Sequence, residues 1–196
     1  MRYKTILVDR KGRVGIITLN RPEYLNAIND VMGKELREQI RTFNEDSTIG
    51  AIVITGAGKA FSSGADVSGF EATVQGEKKF VVGGDSEFGE WPDFIKQSKP
   101  TICAINGYAI GMGITMPLGC DIRLMSENAK LSFRFAYIGL TPEYASTHLL
   151  TQVVGMGKAM EFMLTGRFIE SEEALDSGLV NYVCHRNQLM KKALNI

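Results

Sequence analysis

The sequence has no excess of charge of either sign: acidic and basic side chains number 22 each among 196 residues. That balance excludes the basic footprint that nucleic-acid binding leaves on a whole chain, and it excludes an acidic tail. Any electrostatic work must be local. Long apolar runs are missing too: none approaches the ~18 residues of a membrane span, and the start, Met1-Arg2-Tyr3-Lys4, has no apolar signal core. Cysteine is scarce. Cys103, Cys120 and Cys184 are widely spaced and odd in number, with no C-x-x-C pair and no nearby histidine doublet. They read as structural thiols in a reducing compartment, not as a metal site or a disulfide framework. The expectation is a soluble cytoplasmic protein with no metal and no nucleic-acid or membrane partner. The last residues, Leu194-Asn195-Ile196, are not a peroxisomal address.

Two catalytic signatures are also absent. Ser63, His148 and Asp66 invite a triad reading, but no Gly-x-Ser-x-Gly elbow surrounds Ser63 and His148 falls on a helix beside leucines. Gly107, Gly111 and Gly113 lack the strict G-x-G-x-x-G order and the later ribose-binding acid of a dinucleotide site. NAD is set aside, and His185 reads as a surface residue.

What the chain does have is one local device used twice. The apolar run Ala51-Ile52-Val53-Ile54-Thr55 reads as a buried strand. It leads through Gly56-Ala57-Gly58-Lys59 into Phe61-Ser62-Ser63-Gly64-Ala65-Asp66-Val67, where small residues permit close backbone approach and Asp66 opens a short helix. About fifty residues on, the strand Thr101-Ile102-Cys103-Ala104-Ile105 leads into Asn106-Gly107-Tyr108-Ala109-Ile110-Gly111-Met112-Gly113. A helix start aims unsatisfied N–H groups outward, and two convergent N–H groups make an oxyanion hole.

With Arg21-Pro22-Glu23-Tyr24-Leu25-Asn26-Ala27 ahead of them, these blocks resemble the enoyl-CoA hydratase/isomerase (crotonase) superfamily in order and spacing, from about Tyr3 to Val183. The resemblance implies an α/β fold: a crotonase-like spiral of strand-strand-helix repeats with a C-terminal helical part. One domain spans 1–196, its core about 3–140 and its helical part about 141–196, apparently truncated. The resemblance further implies an acyl-CoA substrate, no cofactor beyond the coenzyme A thioester itself, and a homotrimer or hexamer if the C-terminal helices are present. It assigns the oxyanion donors to the backbone N–H of Ala65 and Met112. Coenzyme A binding falls to Tyr24, Leu25, Ala27, Ser63, Gly64, Ala65, Asp66, Val67 and Gly111, with Asp66 as an organiser of the coenzyme loop.

Hydratases of the superfamily activate water with two glutamates, and those places hold Thr115 and Phe135 here. Neither replaces a carboxylate. Leu140-Thr141-Pro142-Glu143 matches instead the segment in which a single glutamate of 3-enoyl to 2-enoyl-CoA isomerases moves a proton from C2 to C4. The implied activity is therefore isomerisation of an unsaturated acyl-CoA in fatty-acid breakdown, with Glu143 as catalytic base. A hydratase-like or other activity of the superfamily, or a non-catalytic acyl-CoA binding module, stays open.

The remaining elements follow from pattern. Tyr3–Asp9 and Val14–Asn20, joined by Arg10-Lys11-Gly12-Arg13, read as a hairpin. Met32, Leu36, Ile40 and Phe43 form one helical face after an Asn29 cap, to be buried against the Ala51–Thr55 strand. A surface excursion from Glu71 precedes a helix from about Asp85 to Gln97 carrying Phe88, Trp91 and Ile95, with Trp91 in the core. Thr141-Pro142-Glu143 has the grammar of a helix start, Thr141 as cap and Glu143 in the first turn. In that setting the helix dipole depresses the Glu143 pKa, whereas apolar neighbours raise it. An acid there is also stabilising without any function.

Overall fold

The computed structural model describes residues 3–67 and 91–196. The excursion from Glu71, Phe88, the expected start of a helix at Asp85 and the helix expected after Asp66 lie outside these residues.

The chain opens with an antiparallel hairpin of β1 (Ile6–Lys11) and β2 (Val14–Leu19), in which Lys11 pairs with Val14. The first strand thus runs two residues beyond the expected Asp9, and the turn is only Gly12-Arg13. Gly12 at φ +60° supplies the positive φ that a two-residue hairpin turn demands. Helix α1 (Asp30–Glu45) follows, with the Asn29 side chain accepting the Met32 N–H at 2.9 Å. Its stripe of Met32, Leu36, Ile40 and Phe43 is buried as expected. The stripe shares one buried cluster with Ile52 and Ile54 of the Ala51–Thr55 strand and lies close over β1 and β2. The reason is Gly15 of β2: a Cβ there would lie 2.6 Å from the Phe43 ring, so this glycine opens the seat for the helix.

Three strand pairs then repeat. β3 (Ala51–Gly56), β5 (Thr101–Ile105) and β7 (Ile122–Ser126) join a six-stranded sheet, with β9 (Tyr182–Cys184) at its far edge in the order β1-β2-β3-β5-β7-β9. Their partners β4 (Ala60–Ser62), β6 (Tyr108–Ile110) and β8 (Leu131–Ser132) form a second, parallel three-stranded sheet. Each repeat therefore gives one strand to each sheet before its helical segment: α2 (Trp91–Lys96) precedes β5, and α3 (Met112–Leu118) follows β6. The C-terminal part supplies α4 (Ser146–Thr165), broken by a non-helical Gly155, then α5 (Ser171–Asp176) and α6 (Leu189–Leu194).

Alternation along the central strands sorts two apolar layers. Ile52, Ile54, Cys103, Ile105 and Met125 join the main core with Phe61, Trp91 and the α1 stripe. Val53, Ile102, Ala104 and Leu124 face the opposite side, where Leu189 and Ala193 of α6 cover them. Trp91 is buried as expected, its indole N–H donating to the Met116 carbonyl at 3.0 Å. Cys103 and Cys120, 17 residues apart in sequence, lie with sulfurs 3.4 Å apart, both buried and reduced. Register explains it, since β5 and β7 are neighbours with Ile102 opposite Ile122.

Candidate active site

The two glycine turns leave neighbouring parallel strands at the same end. Ala60 and Ser62 of β4 pair with Tyr108 and Ala109 of β6, so Ser63-Gly64-Ala65 and Gly111-Met112 emerge side by side. They touch through backbone. A Cβ on Gly64 would fall 2.7 Å from the Ile110 carbonyl oxygen and 3.4 Å from the Met112 nitrogen, and one on Gly113 would fall 2.3 Å from the Ser62 oxygen. Gly64 also sits at φ +102°, closed to other residues on both counts. Among the described residues neither the Ala65 nor the Met112 amide donates a hydrogen bond. Met112 opens α3, where the first N–H groups have no intrahelical acceptor. Two unspent donors from distant parts of the chain thus stand in adjacent turns.

The predicted coenzyme residues form a ledge beside them. Ser63 N–H donates to the Leu25 carbonyl at 2.9 Å, Ile28 N–H to Gly64 at 2.8 Å and Asp66 N–H to Ile28 at 2.9 Å, lacing the Tyr24–Ile28 loop to the first turn. Ala27 is buried within it, while Tyr24 and Val67 are exposed. Arg21 holds the ledge: its guanidinium meets the Asp66 carboxylate at 2.8 Å, donates to the Ala27 carbonyl and lies 4.6 Å from the Tyr24 ring centre. Asn26 and Asn106, one from each motif, both donate to the Ala60 carbonyl, at 2.9 and 3.3 Å. Sequence reading quoted these asparagines and Arg21 as motif letters without a role. Their partners are other loops, and nothing local announces them.

Glu143 is not a first-turn acid. Thr141, Pro142 and Glu143 are non-helical, Tyr144 and Ala145 take φ of +56° and +51°, and α4 begins only at Ser146. Thr141 therefore caps nothing. The detour buries Tyr144, whose ring centre is 5.9 Å from that of Trp91 and whose hydroxyl is 3.6 Å from the Met112 sulfur. It also brings Glu143 against α3, where the Thr115 hydroxyl donates to Oε1 at 2.5 Å. Thr115 is one turn beyond Met112, ~4.5 Å along the axis, so the carboxylate is tethered to the helix that presents the amide. Burial raises the Glu143 pKa, opposed by the hydrogen bonds from Thr115 and from its own backbone. The helix dipole expected to depress it has no first-turn acid to act on, because Glu143 precedes the helix, and burial is the largest influence.

Phe135 is buried with its ring 3.9 Å from where a Gly111 Cβ would be, so the place of the second hydratase acid is dry. The triad reading finds no support: the Ser63 hydroxyl donates to the Tyr24 carbonyl, and His148 is exposed. His185 is a surface residue as expected, its ring nitrogen 2.6 Å from Glu127. The described residues contain no group of histidine, cysteine and acid side chains able to hold a metal, and no helix long and apolar enough to cross a membrane.

Strand-strand-helix repeats feeding two parallel sheets, with glycine turns meeting at one end, define a crotonase fold. The chain belongs to the enoyl-CoA hydratase/isomerase family, whose sequence model matches residues 9–196. It is 40% identical over 195 residues to a protein of Rhizobium meliloti (strain 1021) named "Probable enoyl-CoA hydratase", covering 99% of this chain and 74% of that one. A solved enoyl-CoA hydratase subunit I from Geobacillus kaustophilus superposes with a TM-score of 0.88 at 31% identity, covering 98% and 74% of the two chains. A monofunctional enoyl-CoA isomerase from M. smegmatis superposes with a TM-score of 0.79 at 29% identity, covering 97% and 82%.

Proposed function

We propose that the protein is an enoyl-CoA isomerase that moves the double bond of a 3-enoyl-CoA to the 2 position. Removing a proton from C2 places negative charge on the thioester oxygen, and the Ala65 and Met112 amides are the groups that hold it. Glu143 takes that proton and returns it at C4. No water is split and no electron leaves the substrate, so one carboxylate suffices and no cofactor beyond the coenzyme A thioester is required. Tyr24, Leu25, Ala27, Ser63, Gly64, Asp66, Val67 and Gly111 form the ledge for the coenzyme portion. Exposed Met160 and Leu164, four apart on α4, favour self-association of the kind expected for a trimer or hexamer.

The observation that carries the reading is a half-buried carboxylate tied through Thr115 to the helix that presents an unspent amide. A hydratase reading draws on the names of the relatives, but Thr115 and Phe135 stand where hydration needs two acids. The test is Glu143→Gln, which keeps size and removes the base. Turnover of 3-hexenoyl-CoA should fall ~10²–10⁴-fold; a rate equal to the parent's overturns the assignment. Assays with 2-hexenoyl-CoA and of C2 solvent-deuterium exchange in the same series separate the other readings. Fast hydration supports a hydratase. Coenzyme A binding without exchange supports a binding module.

A further inference from the structure

We infer that Thr115 is a positioning residue that sets the ionisation and the aim of the Glu143 carboxylate; the inference rests on the reading of Glu143 as the base. Thr115 has no exposed surface, and a buried hydroxyl must find a partner. The one it has among the described residues is the Glu143 carboxylate, 28 residues away in sequence and at 2.5 Å. A threonine on a helix can satisfy its hydroxyl locally, at the carbonyl one turn back, whereas this one reaches a carboxylate on another element.

Two opposed influences meet at that oxygen. Burial favours the neutral acid, and a donated hydrogen bond favours the ion. A base that begins and ends each turnover ionised but must carry a proton between them is served by both: the donor favours the ionised start and end, and burial strengthens the base. The donor is also stiffly aimed. Threonine has few rotamers on a helix, and α3 is anchored at its start by the backbone contacts around Gly64 and Gly113. Hence the distance between the carboxylate and the Met112 amide is set within one rigid turn. In the hydratase pattern this place holds one of the two water-activating glutamates, whose charge beside Glu143 would push the Glu143 carboxyl toward protonation. Threonine turns a competitor into a donor.

The experiment compares parent, Thr115→Val, Thr115→Ser and Glu143→Gln in the full chain, recording kcat and KM for 3-hexenoyl-CoA against pH, with melting curves as a check on folding. Valine keeps the volume and removes the donor. The acid limb of kcat/KM should move to higher pH by about one unit, the size expected for losing a charge-assisted hydrogen bond. KM should change little, and serine should restore the parent profile. An unmoved limb in a folded Thr115→Val protein overturns the positioning role while leaving Glu143 as base. An active Glu143→Gln overturns the underlying reading instead. Should the valine variant not fold, Thr115→Ala is the second donor-free variant, and a serine variant that fails to keep the parent limb counts against the inference on its own.

Discussion

Burial raises the Glu143 carboxyl above its ordinary value, against the hydrogen bonds from Thr115 and from its own backbone. In the unfolded chain the group ionises near pH ~4.3. In the folded chain it ionises at higher pH, so the folded state binds the proton more tightly. Its stabilising contribution is complete below the unfolded value and is lost as pH rises through the folded one. At neutral pH the parent therefore carries a charge that the fold disfavours, and Glu143→Gln removes it. The glutamine variant should melt at a higher temperature than the parent at pH 7, with the gap closing toward pH ~4. Parallel melting-temperature curves for the two proteins would show that the carboxylate carries no such burden. At this scale the sequence disclosed what is local. Ala65 and Met112 stand out through the glycines around them, and Trp91 through its size. The Thr115 hydroxyl could be read only as a missing acid, because its bond to Glu143, 28 positions on, exists only after the intervening chain has folded.

The segment from Thr141 to Ser146 shows how an element written in clear local code is overruled. Thr-Pro-Glu is good grammar for a helix start, yet two successive left-handed residues delay α4 to Ser146. Left-handed geometry costs an ordinary residue ~1–2 kcal/mol. Burying Tyr144 against Trp91 and Met112 offsets that, at ~1.5–3 kcal/mol for a large side chain. Helix α1 had no such competitor, and its Asn29 cap and four-residue stripe were legible as written. Ala145 is exposed and gains nothing from its strained φ. Ala145→Gly should therefore stabilise the protein by up to ~1 kcal/mol, the relief of strain exceeding the added freedom of the unfolded chain. Urea unfolding measures this, and a lower midpoint for the glycine variant would argue against left-handed geometry at this position.

Across the whole molecule, the central sheet separates two tasks. One face belongs to the core that supports α3 and the glycine turns, and the other is covered by α6. The parallel order β3-β5-β7 was readable from continuous apolar runs, which mark strands buried on both faces. The second sheet is legible only in part: β4 and β6 are three residues each, too short for any period, while Ala129–Phe133 reads as a short strand and contains β8. Nor did the sequence say what covers the far face, because Leu189 and Ala193 occupy a short helix without a long stripe. Leu189 is 1% exposed and packs with Val53, Ile102 and Leu124, none of which belongs to the cluster around Met112. Truncating it to alanine should cost ~2–5 kcal/mol, lowering the urea midpoint with little change in slope. Because the two layers share no side chain, the rate per folded molecule, measured well below that midpoint, should match the parent's. A fall in kcat in fully folded Leu189→Ala protein would mean that the sheet transmits strain from one face to the other, and that the turn holding the two amides is only as rigid as the helix behind it.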